Sequence, residues 1–393
     1  NISVKEVTES VPKQTQNLPS GASKKSMSFD GTDDFAIVPY QLPTNTFTVS
    51  VWFKITEDAL TSASTYIWDA RDASYTTANI FLPVKHSATE YKLRWWNDGT
   101  HRINNATIYP IGRWQHVVLV KDGTTGTMYV DGEKLDSATS FSNTTNGTEI
   151  NLGRRYAATF AYLKGGIDEF AAWDTVLDGD AVKALYNAGQ PTPVTTKTGA
   201  YDIYRDNLKA YYKMGDASDP AADGTSNLLF DQTNPGVGSE NVVNGTFDDS
   251  TGWTESGVAG TFTIADGKAT KTVGTYANLH TTFSSALVSG KLYKITFDVS
   301  PDGAGNTTYA VGFIGGGDPT SSYETRNGTS TVFLTATTAH VVLRILPGGS
   351  AIGGSIDNVS VREVNGHTAT ITGATIQTEA PKAIYALPPV DNK

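Results

Sequence analysis

The residues that could do chemistry in this chain are carboxylates, a few histidines and a set of aromatic rings. Six His and forty Asp and Glu residues are present. Their spacing gives no catalytic pattern. No E-x-D-x-x-E run sets two carboxylates on one face of a strand. The only adjacent acids on an apolar strand are Asp168 and Glu169 in GGIDEFAAW, and strict alternation would point them to opposite faces. The histidines show neither H-x-x-x-H nor H-E-x-x-H spacing. G-x-S-x-G and phosphate-loop motifs are absent. Asp69, Arg71 and Asp72 cluster beside Trp68, as polar loop residues commonly do. The chain therefore reads as a non-enzyme. The aromatic rings are more informative. A pyranose has an apolar face and a hydroxyl rim, so a ring beside an amide, Arg or Asp partner suits it. Trp95 and Trp96 are neighbours on one strand, so one of them must leave the core. Trp68, Arg71, Tyr75 and Trp96 are the candidates in the N-terminal half, and Trp253, Tyr276, Tyr309 and Tyr323 in the C-terminal half. For any single one, packing in the core or between loops is the better reading. Trp52 and Trp114 are assigned to the core.

Such residues need a scaffold, and the stretch WQHVVLVKDGTTGTMYVDG from Trp114 to Gly132 supplies its centre. Apolar positions alternate or run together on both sides of a Gly-containing turn, and Asp131-Gly132 favours a second tight reversal. Gly123 and Gly126 are read as the positive-φ residues of the first turn. Similar short runs recur along all 393 residues, separated by Gly, Thr, Ser and Asn. With 38 Gly and only 18% charged residues, this is an all-β composition. A net charge of −10 repels nucleic acid and anionic membranes. No apolar run approaches the roughly 18 residues of a membrane span, so membrane insertion is not expected. Cysteine is absent, which removes disulfides and thiolate zinc sites. The N-x-S/T triplets at Asn105, Asn143, Asn146 and Asn327 are read as turn composition rather than glycosylation sites.

Four motifs now carry a resemblance: SFDGTDDFAIV, FTVSVWFK, the Trp114 hairpin, and GGIDEFAAWDTVLDGDAVKALYNAG. In this order they resemble the LamG-like, concanavalin A-type jelly roll over residues 25–189. Asp178 is the expected N-cap of a short closing helix and Gly189 its stop. Farther on, ENVVNGTFDDSTGW and GSIDNVSVREV open and close a second stretch of short strands. Residues 240–364 resemble a carbohydrate-binding module of the galactose-binding-like jelly roll. The fold expected is thus all-β, with two antiparallel β-sandwich jelly-roll domains in tandem joined by polar linkers. NISVKEV at the start matches NVSVREV near the end, so residues 1–24 read as the end of a preceding module and its linker. Asn1 reads as the start of a fragment or a processed chain. Residues 190–239 form a connector, whose NLKAYYKM stretch alternates like a strand and could pair with the first domain or bridge the two. Residues 365–393 form a C-terminal linker.

These resemblances imply ligands as well as folds. A structural Ca²⁺ in the concanavalin A-type family implies Asp168 with Asp30 or Asp33 here, and the module-like domain implies Asp248 with Asp357. Tandem modules of these two types resemble those of bacteriophage virion appendages. The implied function is a non-catalytic structural or adhesive virion component, a tail fibre or capsid decoration. It would sit on a virion surface or outside the cell. Its partners would be cell-surface or capsular glycans, other virion proteins and further copies of itself. The alternative left open is an accessory glycan-binding region of a secreted polysaccharide-degrading enzyme or a surface adhesin.

Overall fold

A computed structural model describes residues 25–56, 65–71, 78–191, 193–195, 199–215, 227–233, 237–301, 307–379 and 381. Two compact bodies result. The first takes Asn1–Thr233 together with Ala369–Lys393, and the second takes Asn234–Thr368.

The first body's strands are β1 (Ser26–Asp30), β2 (Phe35–Val38), β3 (Thr46–Ile55), β4 (Trp68–Asp69), β5 (Asn79–Lys85), β6 (Glu90–Asn97), β7 (Thr100–Asn104), β8 (Tyr109–Pro110), β9 (Trp114–Asp122), β10 (Thr125–Val130), β11 (Glu133–Ala138), β12 (Ile150–Leu152), β13 (Lys164–Trp173), β14 (Leu208–Tyr212) and β15 (Leu228–Leu229). In the second body come β16 (Val237–Glu240), β17 (Trp253–Gly257), β18 (Phe262–Ala265), β19 (Lys268–Lys271), β20 (Ala277–Thr282), β21 (Leu292–Ser300), β22 (Thr308–Ile314), β23 (Glu324–Thr325), β24 (Gly328–Thr335), β25 (Val342–Pro347) and β26 (Gly354–Val364). The chain then returns to the first body with β27 (Ala369–Thr372) and β28 (Thr375–Gln377).

All described pairings are antiparallel, and each body is a two-sheet sandwich. One sheet of the first body runs β11-β10-β9-β3-β13-β1-β28, with β14 also on β13. Its partner runs β15-β27-β2-β12-β4-β5-β6-β7, with β8 on β6. Between them lie Phe47, Phe53, Phe81, Trp68, Trp95 and Ile167, all buried. In the β9–β10 hairpin Asp122 stands opposite Thr125, with Gly123 at the expected positive φ, +55°. Gly126 serves differently from expectation. It lies in the strand, and a Cβ there would fall 2.3 Å from the Phe141 ring. The second reversal has Asp131 at φ +50° and Gly132 at +83°, the two left-handed residues of a type I′ turn. Helix α1 (Gly179–Tyr186) starts on Asp178, whose carboxylate accepts from the Ala181 N–H. It stops at left-handed Asn187, before the expected Gly189. Val182 and Leu185 of α1 pack with Trp173, Tyr201 and Tyr211 into a second apolar layer outside the β9–β3–β13 sheet.

Two expectations of organisation are corrected. Residues 369–377 are not a linker: β27 pairs with β2 and β28 with β1, and Ala369 and Ile371 are buried in the first core. The second body is consequently inserted in the first rather than following it. Within the connector, NLKAYYKM pairs through β14 with β13 of the first body. Residues 1–24, with the NISVKEV repeat, lie outside the described residues.

The second body has one sheet in the order β18-β19-β26-β21-β24, with β16 on β26, and another in the order β17-β20-β25-β22-β23. Phe297, Val311, Phe313, Leu343, Ile345 and Val361 fill the space between them.

Candidate functional site

The expected metal ligands separate. Asp30, Asp33 and Asp34 offer carboxylate oxygens within 4.8 Å of one another in the β1–β2 turn. Asp34 accepts from the Asp30 N–H at 2.8 Å, and burial, together with the charges of Asp30 and Asp33, raises its pKa. Asp168 does not join them. Asp30 pairs with Lys164, leaving Asp168 four residues farther along β13, about 13 Å at strand rise. Ca²⁺ ligands sit about 2.3–2.6 Å from their ion, so one ion cannot bridge that distance.

Asp168 instead belongs to a β-bulge. The β13–β3 register slips between Asp168 and Ala171, and Glu169 stands at φ +48°. Ile167 and Phe170 both enter the core. The two acids between them therefore share the other side, against the expectation of opposite faces. The Tyr211 hydroxyl bonds the Glu169 carboxylate, and burial raises the Tyr211 pKa with help from both acids. Beside them Ser50 Oγ lies 2.8 Å from His116 Nε2. A cavity of about 10 Å³, the size of one water, is lined by Ser50, Trp52, His116, Glu169, Leu185, Pro191 and Val194. A hydroxyl beside an imidazole could form a nucleophile–base pair. Here α1 and the segment after it seal the pair, and burial pushes the His116 pKa down to about 3. Trp52 stacks on His116 at 5.0 Å in this outer layer, so its burial is real but its place is not the inter-sheet core.

In the second body the same bulge recurs. The β21–β26 register slips at Asp298–Asp357, and Asn358 takes φ +50°. Asp357 accepts from the Asn358 N–H at 2.6 Å, as Asp168 does from Glu169 at 2.8 Å. Asp248 lies on the opening turn, its N–H donated to Asn244 Oδ1 at 2.9 Å. Among the described residues, neither Asp248 nor Asp357 belongs to a group of three potential ligands.

Most of the expected sugar-binding rings are packing residues. Trp68 is fully buried in the first core. Arg71 is 3% exposed and forks onto Asp69, with Nε 3.0 Å from both carboxylate oxygens. Its guanidinium also lies 5.7 Å from the Trp96 ring, covering that half-buried platform. Tyr75 lies outside the described residues. Trp253 stacks on Phe247 at 4.5 Å and donates Nε1–H to the Asn244 carbonyl at 2.9 Å, so its ring is spent on closing the opening turn. Tyr309 is fully buried and donates its hydroxyl to the Gly353 carbonyl at 2.8 Å.

Tyr276 and Tyr323 remain, 40% and 50% exposed. Burial raises the Tyr323 pKa, which the Arg344 charge opposes. The Tyr276 hydroxyl donates to Asn278 Oδ1 at 3.3 Å. His280 of β20 pairs with Arg344 of β25, which pairs with Gly312 of β22. Thr320 bridges to Gly312 and accepts from an Arg344 terminal N–H at 2.9 Å. Gly312 is required here, since a Cβ would fall 2.7 Å from Thr320 Oγ1. Arg344 is thus tied to Thr320 and ion-paired with Asp318 at 3.9 Å. Burial, then the Arg344 charge, lowers the His280 pKa. Arg344, His280 and Asn278 were missed from sequence. The signal was a lone Arg between Leu343 and Ile345 in an otherwise apolar strand.

Comparisons with known proteins bear on the first body. Residues 29–183 match the family described as the concanavalin A-like lectin/glucanases superfamily, and the first body has that jelly-roll fold. Among solved structures, the native heptameric SAP-like pentraxin of Limulus polyphemus is 16% identical, with 41% of this chain and 81% of that chain covered, at TM-score 0.35. A candidate carbohydrate-binding protein of Bacteroides ovatus is 15% identical over 54% of this chain and 56% of that chain, at TM-score 0.37. Domain 4 of an extracellular arabinanase from Geobacillus stearothermophilus, solved with arabinotriose, is 21% identical over 41% and 76%, at TM-score 0.29. Likenesses this distant carry no argument about ligands. No curated protein matches the sequence.

Proposed function

We propose that this chain is a non-catalytic adhesive protein whose second body binds glycans on cell surfaces or capsules. The observation that carries the reading is the exposed Tyr276 ring, its hydroxyl on Asn278 Oδ1 at 3.3 Å, with a second exposed ring, Tyr323, in the same body. Stacking rings next to fixed polar groups are what a pyranose needs. Supporting it, the first body has a jelly roll of the lectin and glucanase superfamily. The biological setting we favour is a bacteriophage tail fibre or capsid decoration, on a virion surface or otherwise extracellular. The resemblance of the two module types to virion appendages motivates this setting.

Glycan-array binding of the intact chain tests the reading. Tyr276→Ala and Tyr323→Ala should each weaken binding about fivefold or more, the loss of roughly 1 kcal/mol of stacking. Full binding by the double variant would remove the site. Immunogold labelling of phage particles tests the setting, and a catalytic domain elsewhere in the same gene would favour the enzyme-accessory alternative.

The proposal extends to a structural Ca²⁺ at the Asp30, Asp33 and Asp34 turn, without Asp168. An ion bound only by the folded state raises its stability. Calcium should raise the first body's melting temperature and Asp33→Asn should cancel the rise; an unchanged melt in chelator would remove the site.

A further inference from the structure

The β6–β7 ribbon of the first body presents a basic face. Tyr91, Leu93 and Trp95 of β6 enter the inter-sheet core, so Lys92, Arg94 and Trp96 share the opposite face. Lys92 and Arg94 stand roughly 7 Å apart there at strand rise. Their partners on β5 are Val84 and Leu82, apolar neighbours for the two aliphatic stems. On β7 the register slips. Trp95 faces Ile103 but Trp96 faces His101, so His101 and Arg102 together oppose Trp96. Arg94 Nε donates to Asn104 Oδ1 at 2.8 Å, and Arg102 Nε donates to the Asn97 carbonyl at 3.2 Å. Among the described residues, neither guanidinium nor the Lys92 ammonium has an acidic partner. Two guanidiniums are therefore oriented through Nε with their terminal nitrogens left for a ligand. The acids of the ribbon lie at its ends: Glu90 accepts from Ser87 Oγ at 2.9 Å, and Asp98 sits in the β6–β7 turn. Burial, then the Arg94 charge, lowers the His101 pKa, which leaves that ring neutral at pH 7. β7 is the last strand of its sheet.

The chain as a whole carries −10, so its long-range field repels polyanions and any attraction is local to this face. A guanidinium fixed at Nε offers its terminal N–H groups as a fork that matches the oxygens of an oxyanion. The acids at both ends confine the basic strip, which disfavours a broad anionic plane such as a membrane. Between the charges His101 and Asn104 add neutral hydrogen-bonding groups, which a hydroxyl-rich ligand can use.

We propose that this face binds an acidic polysaccharide, the Arg94 and Arg102 forks taking its carboxylate or sulfate groups and Lys92 adding a third charge contact. The site belongs to the first body and is independent of the tyrosines of the second.

The test is calorimetric titration of the intact chain with an oligogalacturonate, a heparin oligosaccharide and a neutral maltooligosaccharide. At least one acidic form should bind ten-fold or more tightly than the neutral one, and the tighter of the two names the anionic group. Arg94→Gln with Arg102→Gln should abolish that difference. Arg94→Lys, which keeps the charge but loses the Nε anchor on Asn104, should remove only part of it. Lys268→Gln with Lys294→Gln changes the net charge equally but in the second body, and should leave binding unchanged. Tyr276→Ala should also leave it unchanged, which separates this site from the tyrosine reading. Unchanged melting of the first body checks that each arginine variant is folded. Equal binding by the double arginine variant, or an equal loss in the lysine variant, overturns the site. Tighter binding of anionic lipid vesicles or duplex DNA than of either acidic oligosaccharide overturns the choice of ligand. Absence of acidic-glycan binding overturns the proposal, while the tyrosine reading is decided by its own variants.

Discussion

His116 sits where a titratable group is least comfortable. Its ring is 2% exposed, grouped with Trp52 and Tyr186 at centroid distances of 5.0 and 6.0 Å, and its Nδ1 has no hydrogen-bond partner among the described residues. Burial lowers its pKa from 6.5 to about 3. The unfolded chain therefore takes up this proton between those values while the folded chain does not. The stabilising contribution is complete above pH 6.5 and declines as pH falls toward 3, by up to about 1.4 kcal/mol per unit. Asp34 and Asp131 act in the opposite sense, since burial raises both pKa values. A difference measurement separates them. His116→Gln should flatten the acid limb of the first body's denaturant stability curve, and a limb of unchanged slope would refute the assignment. Lys121 is a second buried group, held by the Thr44 and Gly123 carbonyls at 2.9 and 2.7 Å and by Asn143 Oδ1 at 2.6 Å. Lys121→Met leaves those oxygens unmatched and should cost about 2–4 kcal/mol in chemical unfolding; a loss below about 0.5 kcal/mol would show that water replaces the ammonium freely.

At the scale of elements, the hairpins were legible and the bulges were not. β9, β10 and the Asp131-Gly132 turn follow from alternation and turn chemistry, which are local. The slip at Asp168–Glu169 is set by pairing with β3, more than a hundred residues away, so a strict two-residue period gave the wrong faces. A clue was nevertheless present. I-D-E-F and I-D-N-V occur in the two bodies, and in both the residue after Asp is left-handed. The tail shows the same limit. TATITGATIQ alternates around Thr-Gly, but nothing local says that its two strands join two different sheets, β27 between β15 and β2 and β28 at the edge beside β1. Burial made Tyr309 structural for a related reason: its partner, Gly353, is brought to it only by tertiary contact. Ending the chain at Thr368 removes β27 and β28, uncovers β1 and β2, and withdraws Ala369 and Ile371 from the core. The first body should then melt several degrees lower while the second is unaffected. An unchanged first transition would mean that these strands add nothing to the sandwich.

The whole molecule is two sandwiches of unequal continuity. The first is interrupted after Thr233 and resumed at Ala369, while the second is one uninterrupted segment with its own core. What makes such an insertion workable is the pairing of β15 with β27, Leu229 opposite Ala369 and Leu228 opposite Thr370. Residues opposite one another in an antiparallel pair are about 5 Å apart at Cα. The two stems of the insertion therefore leave the first body as neighbours, and Thr233 is only four residues beyond the paired Leu229. Removing Asn234–Thr368 and joining the stems with a short Gly-Ser linker asks little loop-closure entropy of the first body. The shortened protein should keep its circular dichroism, its melting temperature to within a few degrees, and any calcium response of the Asp30–Asp34 turn. Asn234–Thr368 alone should fold as its own sandwich and keep any glycan binding that the intact chain shows through Tyr276 and Tyr323. Had the second body been a tandem neighbour with a linker behind it, the tail would be dispensable and a chain ending at Thr233 would be as stable as the rejoined one. Comparing those two proteins by thermal unfolding decides between the arrangements: insertion requires the rejoined protein to be the more stable, and equal stability would refute it.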